Sequence, residues 1–281
     1  MAKVAVLGLG LLGSGFAEGL LTRGGTDVVL WNRTKSKADA LVAMGATVAA
    51  TPAEAVVGVE RVHLILLDDD TVDATIGKFM HALDPSTVIV DHTTTRPDRT
   101  AARAAALDQD ALQYLHAPVM MGPGAARLAK GMMLVAGPNE RFARVRDALT
   151  AMTGELWHVG ERPDLAAVYK LCGNATILPL VGIVAEVMRI ADASGVDRTG
   201  AFEMMSKVNL NASLATRGSM MVSQNFDPQF TLNVARKDLR LMLETAGGLP
   251  MPMLRALAME MDELIAAGKG ERDVAVVGAT Q

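Results

Sequence analysis

Residues 3–35, KVAVLGLGLLGSGFAEGLLTRGGTDVVLWNRTK, decide the fold of the first half of this chain. The apolar run at 4–7 predicts a buried parallel strand, and Gly8, Gly10 and Gly13 follow it with the spacing G-x-G-x-x-G. The first glycine permits a tight turn, the second lets a pyrophosphate approach the backbone, and the third allows close packing of helix on strand. An apolar helical pattern follows directly, so phosphate charge can bind at the helix N-terminus. The stretch predicts a dinucleotide site, with a glycine turn that binds no ligand as the alternative. The expected turn residues are Gly8, Leu9, Gly10, Leu11, Leu12 and Gly13.

The end of the next predicted strand, residues 28–31, distinguishes between dinucleotides. An NAD site usually has Asp or Glu about 20 residues past the glycines, where it bonds the ribose 2′-hydroxyl. Here the chain reads Asn32, Arg33, Thr34 and Lys35. Arg33 can bind a 2′-phosphate with its planar guanidinium, and Thr34 can donate its hydroxyl. The alternative is a solvated basic helix start. The sequence favours NADPH over NADH, with all four residues in the cofactor site.

Composition excludes several classes of function. A net charge of −4 argues against binding to nucleic acid, and Cys172 is the only cysteine, so neither an internal disulfide nor a cysteine-based metal cluster is expected. No metal ligands at characteristic spacing are found. No uninterrupted apolar stretch approaches the ~20 residues of a membrane span. The chain starts directly with a strand, which predicts no signal peptide, and we expect a soluble cytoplasmic protein.

The order of the predicted elements indicates two domains. Strand-like runs alternate with helical segments up to about residue 160, which predicts a doubly wound parallel sheet. A helix is then expected from Pro163 to about Ala193, with a kink or break at Pro179, and the rest of the chain is predicted to be helical. We therefore expect an α/β Rossmann domain at 1–162 and an all-α domain at 163–281, joined by the long helix. The clearest predicted strands are 28–31, 62–67, 86–91, 112–119 and 133–137.

The long predicted helix carries a second candidate group of residues. Lys170 and Asn174 are four positions apart and therefore share one face of the helix, within an otherwise apolar stretch. A lysine in such surroundings loses hydration unless it is paired or functional, and a protonated lysine can donate its proton to a carbonyl oxygen. Alternatively, its stem covers apolar surface while its ammonium reaches water. The spacing alone leaves both interpretations open.

Four segments resemble the β-hydroxyacid dehydrogenase family, which includes 3-hydroxyisobutyrate dehydrogenases, tartronate semialdehyde reductases and glyoxylate/succinic semialdehyde reductases. The resemblance covers nearly the whole chain. It implies that Lys170 is the catalytic acid/base, that Asn174 binds substrate or orients Lys170, that Thr94 lies near the nicotinamide and the substrate, and that Lys237 lies near cofactor or substrate. Leu67 is expected to line the cofactor crevice. The segments are GLGLLG at 8–13, DHTTTRP at 91–97, KLCGN at 170–174 and FTLNVARKDL at 230–239.

A fifth segment departs from the family pattern at the expected substrate site. Family members usually have D-A-P-V-S-G-G, whose serine hydroxyl and glycine amides hold a substrate carboxylate. Here the segment begins with His116, and Met120, Met121 and Gly122 stand where the family has serine and glycines. A thioether cannot donate a hydrogen bond, so recognition of a carboxylate by this loop is not expected. These four residues are the candidate substrate contacts, with Thr94, Lys170 and Asn174.

The resemblance implies an NADPH-dependent oxidoreductase that transfers hydride to the carbonyl of a small aldehyde, ketone or semialdehyde, or oxidises a β-hydroxyacid in reverse. An imine reductase is the first alternative, because GERPDLAAVY at 160–169 also resembles that group. Imine reductases typically carry Asp or Tyr where this chain has Lys170. A dinucleotide-binding protein without catalysis is the second alternative. The family and the mean hydropathy of +0.26 together predict a homodimer with apolar helices at its interface.

Overall fold

The computed structural model describes residues 2–280 and divides into two compact units, Met1–Asn174 and Ala175–Gln281. The boundary lies inside the long helix, whereas the sequence places it at 162/163, before the helix begins. The first unit is an α/β domain and the second is helical. The predicted fold class is thus confirmed.

The first unit is built on a nine-stranded sheet. Its strand order is β3-β2-β1-β4-β5-β6-β8-β7, with β9 beside β8. Strands β1 to β6 are mutually parallel, whereas β8 runs antiparallel to both β6 and β7. The predicted parallel sheet is found except at this edge, where β6 and β7 follow each other in the same direction along β8, and β8 returns antiparallel to them after residues 121–131. The strands are β1 Ala2–Leu7, β2 Thr26–Trp31, β3 Thr47–Val48, β4 Arg61–Leu64, β5 Val88–Asp91, β6 Gln113–His116, β7 Val119–Met120, β8 Met132–Ala136 and β9 Glu155–Gly160.

Helices cover both faces of the sheet and bury one apolar cluster on each. Phe16 and Leu20 of the first helix belong to the cluster on one face, and Ile76 and Phe79 belong to the cluster on the other. This two-sided burial explains why the central strands are near-continuous apolar runs. The helices of this unit are α1 Leu11–Arg23, α2 Asp39–Ala43, α3 Pro52–Ala55, α4 Asp69–Phe79, α5 Pro97–Gln109, α6 Pro123–Arg127 and α7 Asn139–Thr150.

Helix α1 lies unusually close to the short helix α6, and two glycines make this possible. A Cβ at Gly15 would lie 2.7 Å from the carbonyl oxygen of Pro123, and one at Gly19 would lie 3.0 Å from the carbonyl oxygen of Ala126. Side chains at these positions would push the helices apart. The helix that starts at the glycine turn thus fixes the segment that follows the predicted substrate loop.

Helix α8, Leu165–Ala193, passes through Pro179 without a break in its assigned helical span. Of the predicted kink or break, the break is wrong, since proline removes a single donor from a helix that retains its other bonds on both sides, and the kink stays a prediction. The helix is long and apolar enough to cross a membrane by length and composition, with a mean hydropathy of 1.7 over its most apolar window. The search for an uninterrupted apolar run did not identify this helix, because isolated polar residues interrupt its sequence. One such helix is weak evidence for a membrane span.

The regular secondary structure of the second unit is helical within its described residues, as predicted, apart from an isolated β-bridge between Thr231 and Asp273. Its core contains Phe226, Leu232, Leu239, Met261 and Val276. The buried carboxylates of Glu186 and Asp273 accept hydrogen bonds from backbone N–H groups of this unit. Its elements after α8 are α9 Arg198–Lys207, α10 Leu210–Ser223, α11 Leu232–Thr245, α12 Pro252–Leu264, a π turn Ile265–Lys269 and a 3₁₀ turn Val274–Gly278.

Candidate functional site

The glycine turn has the local geometry that a dinucleotide site requires. Gly8 has φ +102°, and a Cβ there would lie 2.2 Å from the carbonyl oxygen of Ile65. A Cβ at Gly13 would lie 2.0 Å from the carbonyl oxygen of Gly8. At Gly10, by contrast, a Cβ would meet nothing within 4 Å. Gly8 and Gly13 are therefore required by the fold, whereas Gly10 leaves open space at the N-terminus of α1, where a pyrophosphate fits.

Asn32 connects the glycine turn to the basic loop after β2. Its Oδ1 accepts a hydrogen bond from the backbone N–H of Leu9 at 2.9 Å, and its Nδ2 donates to the carbonyl oxygen of Thr34 at 2.8 Å. The side chain of Leu9 is buried in the core, so this residue contributes to the site through its backbone. Arg33, Thr34 and Lys35 are exposed beyond this brace. Their side chains are therefore free to meet a ribose 2′-phosphate.

Exposed leucines stand at the carboxyl ends of the two central strands. Leu11, just after the turn that follows β1, is 82% exposed, and Leu67, just after β4, is 83% exposed. Strands β1 and β4 are neighbours at the point where the strand order reverses, and ligands of open α/β sheets bind in that crevice. Leu12 is half-buried against the core cluster. Leu11 and Leu67 are thus exposed at the end of the sheet where this crevice lies, and the contacts of the three leucines with a cofactor stay a prediction.

Lys170 is held in place by two neighbours. Its Nζ donates to Oδ1 of Asn174 at 3.0 Å and lies 3.4 Å from Sδ of Met120. Partial burial lowers the pKa of Lys170. The structure therefore brings together three predicted site residues from β7 and α8. A cation with weak partners and a reduced pKa is a suitable proton donor.

Met120 occupies the space that a side chain at Gly173 would need. A Cβ at Gly173 would lie 2.7 Å from Cε of Met120 and 3.1 Å from its Sδ. Met121 behaves differently, since it packs against the core of the first unit and its Cβ would lie 2.7 Å from a Cβ at Gly131. Gly122 is exposed at the N-terminus of α6. Of the two methionines, Met120 is the one that faces the lysine.

The threonines after β5 divide into buried and exposed positions. Thr93 and Thr95 are buried and hydrogen-bonded, whereas Thr94 is exposed. An exposed Thr94 is available for the predicted contact with cofactor and substrate. His116 is not, because it is fully buried with its Nε2 3.0 Å from the carbonyl oxygen of Thr93. Its predicted direct contact with substrate has no side-chain surface to support it, and burial lowers the pKa of its imidazole.

Lys237 belongs to the second unit. It lies on α11, is half-exposed, and forms an ion pair with its neighbour Asp238. No group of three or more His, Cys, Asp or Glu side chains that could hold a metal ion occurs within residues 2–280.

Sequence reasoning missed Gly173 and the close packing of α1 on α6. The spacing of four between Gly15 and Gly19 was the available signal for that packing. No local signal points to Gly173, because its role depends on a methionine from another strand.

Comparisons with known proteins agree with this geometry. Residues 3–160 match the NAD-binding domain of 6-phosphogluconate dehydrogenase, and residues 165–279 match the NAD-binding family of NADP-dependent 3-hydroxyisobutyrate dehydrogenase. An uncharacterized oxidoreductase of Shewanella frigidimarina is 30% identical over 279 residues, which cover 97% of this chain and 95% of that protein. The 3-sulfolactaldehyde reductase of Escherichia coli is 28% identical, with 97% and 93% of the two chains covered.

Solved structures with the same fold include an imine reductase from Streptomyces aurantiacus. It is 26% identical, covers 98% of both chains, and superposes with a TM-score of 0.89. The chain therefore resembles hydroxyacid dehydrogenases in its sequence families and imine reductases in its structural neighbours.

Proposed function

Because this chain belongs to the 3-hydroxyisobutyrate dehydrogenase (β-hydroxyacid dehydrogenase) family of nicotinamide-dependent oxidoreductases, we propose that it reduces the carbonyl of a small aldehyde or ketone with NADPH and that Lys170 is the proton donor. The contact of the Lys170 ammonium with Asn174 and Met120 carries the proposal. Bound NADPH supplies the hydride that reaches the carbonyl carbon.

Residues of the first unit perform the remaining steps. The turn at Gly10 and the exposed side chains of Arg33 and Thr34 bind and orient the cofactor. The positive charge of Arg33 favours a 2′-phosphate. Asn174 orients the ammonium of Lys170 through one N–H, which leaves a further N–H for the substrate oxygen. The proton moves from Nζ to the oxygen as the carbonyl becomes an alcohol, and solvent returns a proton to the amine. In the reverse direction the neutral amine accepts the hydroxyl proton.

The substrate we propose is less polar than a semialdehyde with a carboxylate. Met120 offers a thioether where the family has a serine hydroxyl, and it covers the backbone of Gly173. A thioether gives an apolar, polarisable surface without a hydrogen-bond donor. We therefore expect small ketones and aldehydes with apolar substituents to be better substrates than their carboxylate analogues.

The test replaces Lys170 with methionine and measures turnover of the best carbonyl from a panel assayed with NADPH and NADH in parallel. We expect kcat to fall by about 10²- to 10⁴-fold while NADPH binding is retained. Lys78→Met, on the exposed surface of α4, is the matched control and should keep full activity. Unchanged turnover in Lys170→Met contradicts the assignment of the proton donor. Tight NADPH binding without oxidation across carbonyls and imines would instead indicate a non-catalytic protein.

Imine reduction is the second candidate, supported by the superposition on the Streptomyces aurantiacus enzyme. A protonated lysine can also donate to an imine nitrogen. Comparison of kcat/KM for cyclic imines and for carbonyls decides between the two. Higher values for every imine tested than for any carbonyl would favour this second function.

We further propose that the enzyme is a homodimer whose interface covers the apolar residues of the second unit. Leu178 and Val181 of α8, Phe202 of α9 and Leu214 of α10 are each more than half exposed in the single chain. Large exposed apolar side chains in one unit support an interface, because contiguous apolar patches on a soluble protein mark interaction sites. Sedimentation should give the mass of two chains, and binding of the monomer to lipid vesicles would favour a membrane surface instead.

A further inference from the structure

A chain of buried hydrogen bonds runs from Arg61, the first residue of β4, to Ala117 in the segment of the predicted substrate loop. The Nε of Arg61 donates to Nε2 of His63 at 3.1 Å, and Nδ1 of His63 lies 2.9 Å from Nε2 of His92. Nδ1 of His92 lies 2.7 Å from the carbonyl oxygen of Ala117. All four residues are buried, so water does not supply alternative partners to these atoms.

The two ends of this chain determine where every proton lies. A carbonyl oxygen only accepts, so His92 must carry its proton on Nδ1 and accept at Nε2. His63 must then donate from Nδ1 and accept at Nε2, where the N–H of Arg61 donates. A second proton on His63 would place its Nε2–H against the N–H of Arg61. A second proton on His92 would place its Nε2–H against the Nδ1–H of His63. The hydrogen bonds therefore have one direction, from Arg61 to Ala117, and both rings are neutral.

Electrostatics agree with the neutral rings. Burial is the main cause that lowers the pKa of His63 well below its ordinary value, aided by the nearby His92 and Arg61. Burial also lowers the pKa of His92, to about 4, although the hydrogen bond to Ala117 and the charge of Asp91 oppose the shift.

His92 contacts both the helix of the glycine turn, through Phe16, and the segment that leads to Met120, through Ala117. Its ring centroid lies 5.1 Å from that of Phe16 on α1, the helix that begins at the glycine turn. The ring is parallel to His63 within 8°. Ala117 is held at both backbone atoms, because its N–H also donates to the carbonyl oxygen of Asp91 at 2.7 Å. Three residues further along the chain lies Met120, whose sulfur contacts Lys170.

We propose that His92 is a positioning residue, which with His63 and Arg61 fixes the backbone of Ala117 and thereby the place of Met120 beside Lys170. This inference rests on the proposed reductase function for its kinetic consequence. Both histidines are buried, so we assign them an action through the loop and not a direct contact with substrate or cofactor.

Two substitutions separate positioning from packing. His92→Phe keeps an aromatic ring against Phe16 and His63 but removes both hydrogen bonds. His92→Asn loses the ring but keeps an N–H donor near the position of Nδ1, so it can still donate to Ala117. His158→Phe is the matched control, because it removes one histidine bond to a carbonyl, that of Gly137, away from this loop. His63→Phe interrupts the chain one step earlier if His92→Phe does not fold.

The first readout is structural and needs no activity. In protein labelled with [methyl-¹³C]methionine, the Met120 signal, assigned with Met120→Leu, should shift in His92→Phe and stay in place in His92→Asn and His158→Phe. Nitrogen-15 spectra of the wild type should show both His63 and His92 protonated at Nδ1. A Met120 signal unchanged in His92→Phe, or His92 protonated at Nε2, overturns the proposal.

The second readout is kinetic. We expect His92→Phe to raise KM for the carbonyl substrate about tenfold, with the Kd for NADPH unchanged and His92→Asn close to the wild type. Equal impairment of both variants, with weaker NADPH binding, would indicate packing and overturn the proposal. If no variant or wild type reduces any substrate, the proposed function fails, while the methionine and nitrogen spectra still decide the role of His92.

Discussion

Substitution of Gly10 by alanine separates cofactor binding from folding. Gly10 has φ −71° and ψ −175°, an extended conformation that alanine adopts without strain, and its added Cβ would meet no protein atom within 4 Å. Alanine is a poorer N-cap than glycine, but it also lowers the entropy of the unfolded chain. Because these effects oppose each other, we expect the free energy of unfolding to change by less than about 1 kcal/mol.

The effect on NADPH binding should be much larger. The new methyl group occupies the open space at the N-terminus of α1, where a pyrophosphate must approach the backbone. Loss of one charge-assisted hydrogen bond costs about 1.5–3 kcal/mol. Since 1.4 kcal/mol corresponds to tenfold in affinity, the Kd for NADPH should rise roughly 10- to 100-fold.

Gly13→Ala provides the contrast, because its Cβ would lie 2.0 Å from the backbone oxygen of Gly8. The backbone must shift, and overpacking of this kind costs about 1–3 kcal/mol of stability. Calorimetric titration with NADPH and urea unfolding measure both variants. Wild-type affinity in Gly10→Ala would refute the assigned position of the pyrophosphate, and equal loss of stability in the two variants would refute the steric distinction between them.

Three further outcomes are expected. Arg33→Ala should lower the ratio of kcat/KM with NADPH to that with NADH by at least about tenfold, since a charge-assisted bond to the 2′-phosphate is lost; an unchanged ratio excludes Arg33 from that contact. Glu186→Ala should destabilise the second unit by about 2 kcal/mol in urea unfolding, because the buried carboxylate accepts from the N–H groups of Met253 and Leu254 at the start of α12. Burial opposes the charge of Asp273, but backbone N–H groups and Arg217 outweigh it and lower its pKa. Its stabilising effect should therefore be present above about pH 4 and disappear as pH falls through the lowered value, and Asp273→Asn should show a weaker dependence of stability on acid than the wild type.

Local sterics explain which features the sequence predicts well. The positive φ of Gly8 and the contact of Gly13 with the carbonyl oxygen of Gly8 lie within one strand–turn–helix unit, so the spacing alone identifies both glycines. The alternation of apolar runs likewise predicts five of the six mutually parallel strands, because burial on both faces selects such runs; β3, two exposed residues at the edge of the sheet, was not predicted. The helical second unit follows from the same kind of pattern.

Features that depend on partners distant in sequence were not predictable. The antiparallel edge arises from the pairing of Met120 with Met132, which no local pattern specifies. The direction of the His116 side chain depends on its β-strand register, since alternate residues of a strand face opposite sides of the sheet. A position beside the site in sequence is therefore compatible with complete burial. The long helix continues through Pro179 because proline removes one hydrogen-bond donor and the residues on either side keep the helix together, which the presence of proline alone does not indicate.

The contacts of Lys170 favour one of the two interpretations that the sequence left open. A lysine whose stem covers apolar surface ends with its ammonium in water. The ammonium of Lys170 instead ends between an amide oxygen and a thioether, and its pKa is lowered by burial. A thioether is a weak acceptor, so the lost hydration is only partly replaced. This arrangement is unfavourable for the lysine by itself but becomes favourable when a substrate oxygen accepts its remaining N–H. In the function we propose, the thioether of Met120 offers no donor to a carboxylate and leaves the charge of Lys170 available to a carbonyl oxygen, which is why we expect a proton donor that acts on apolar substrates.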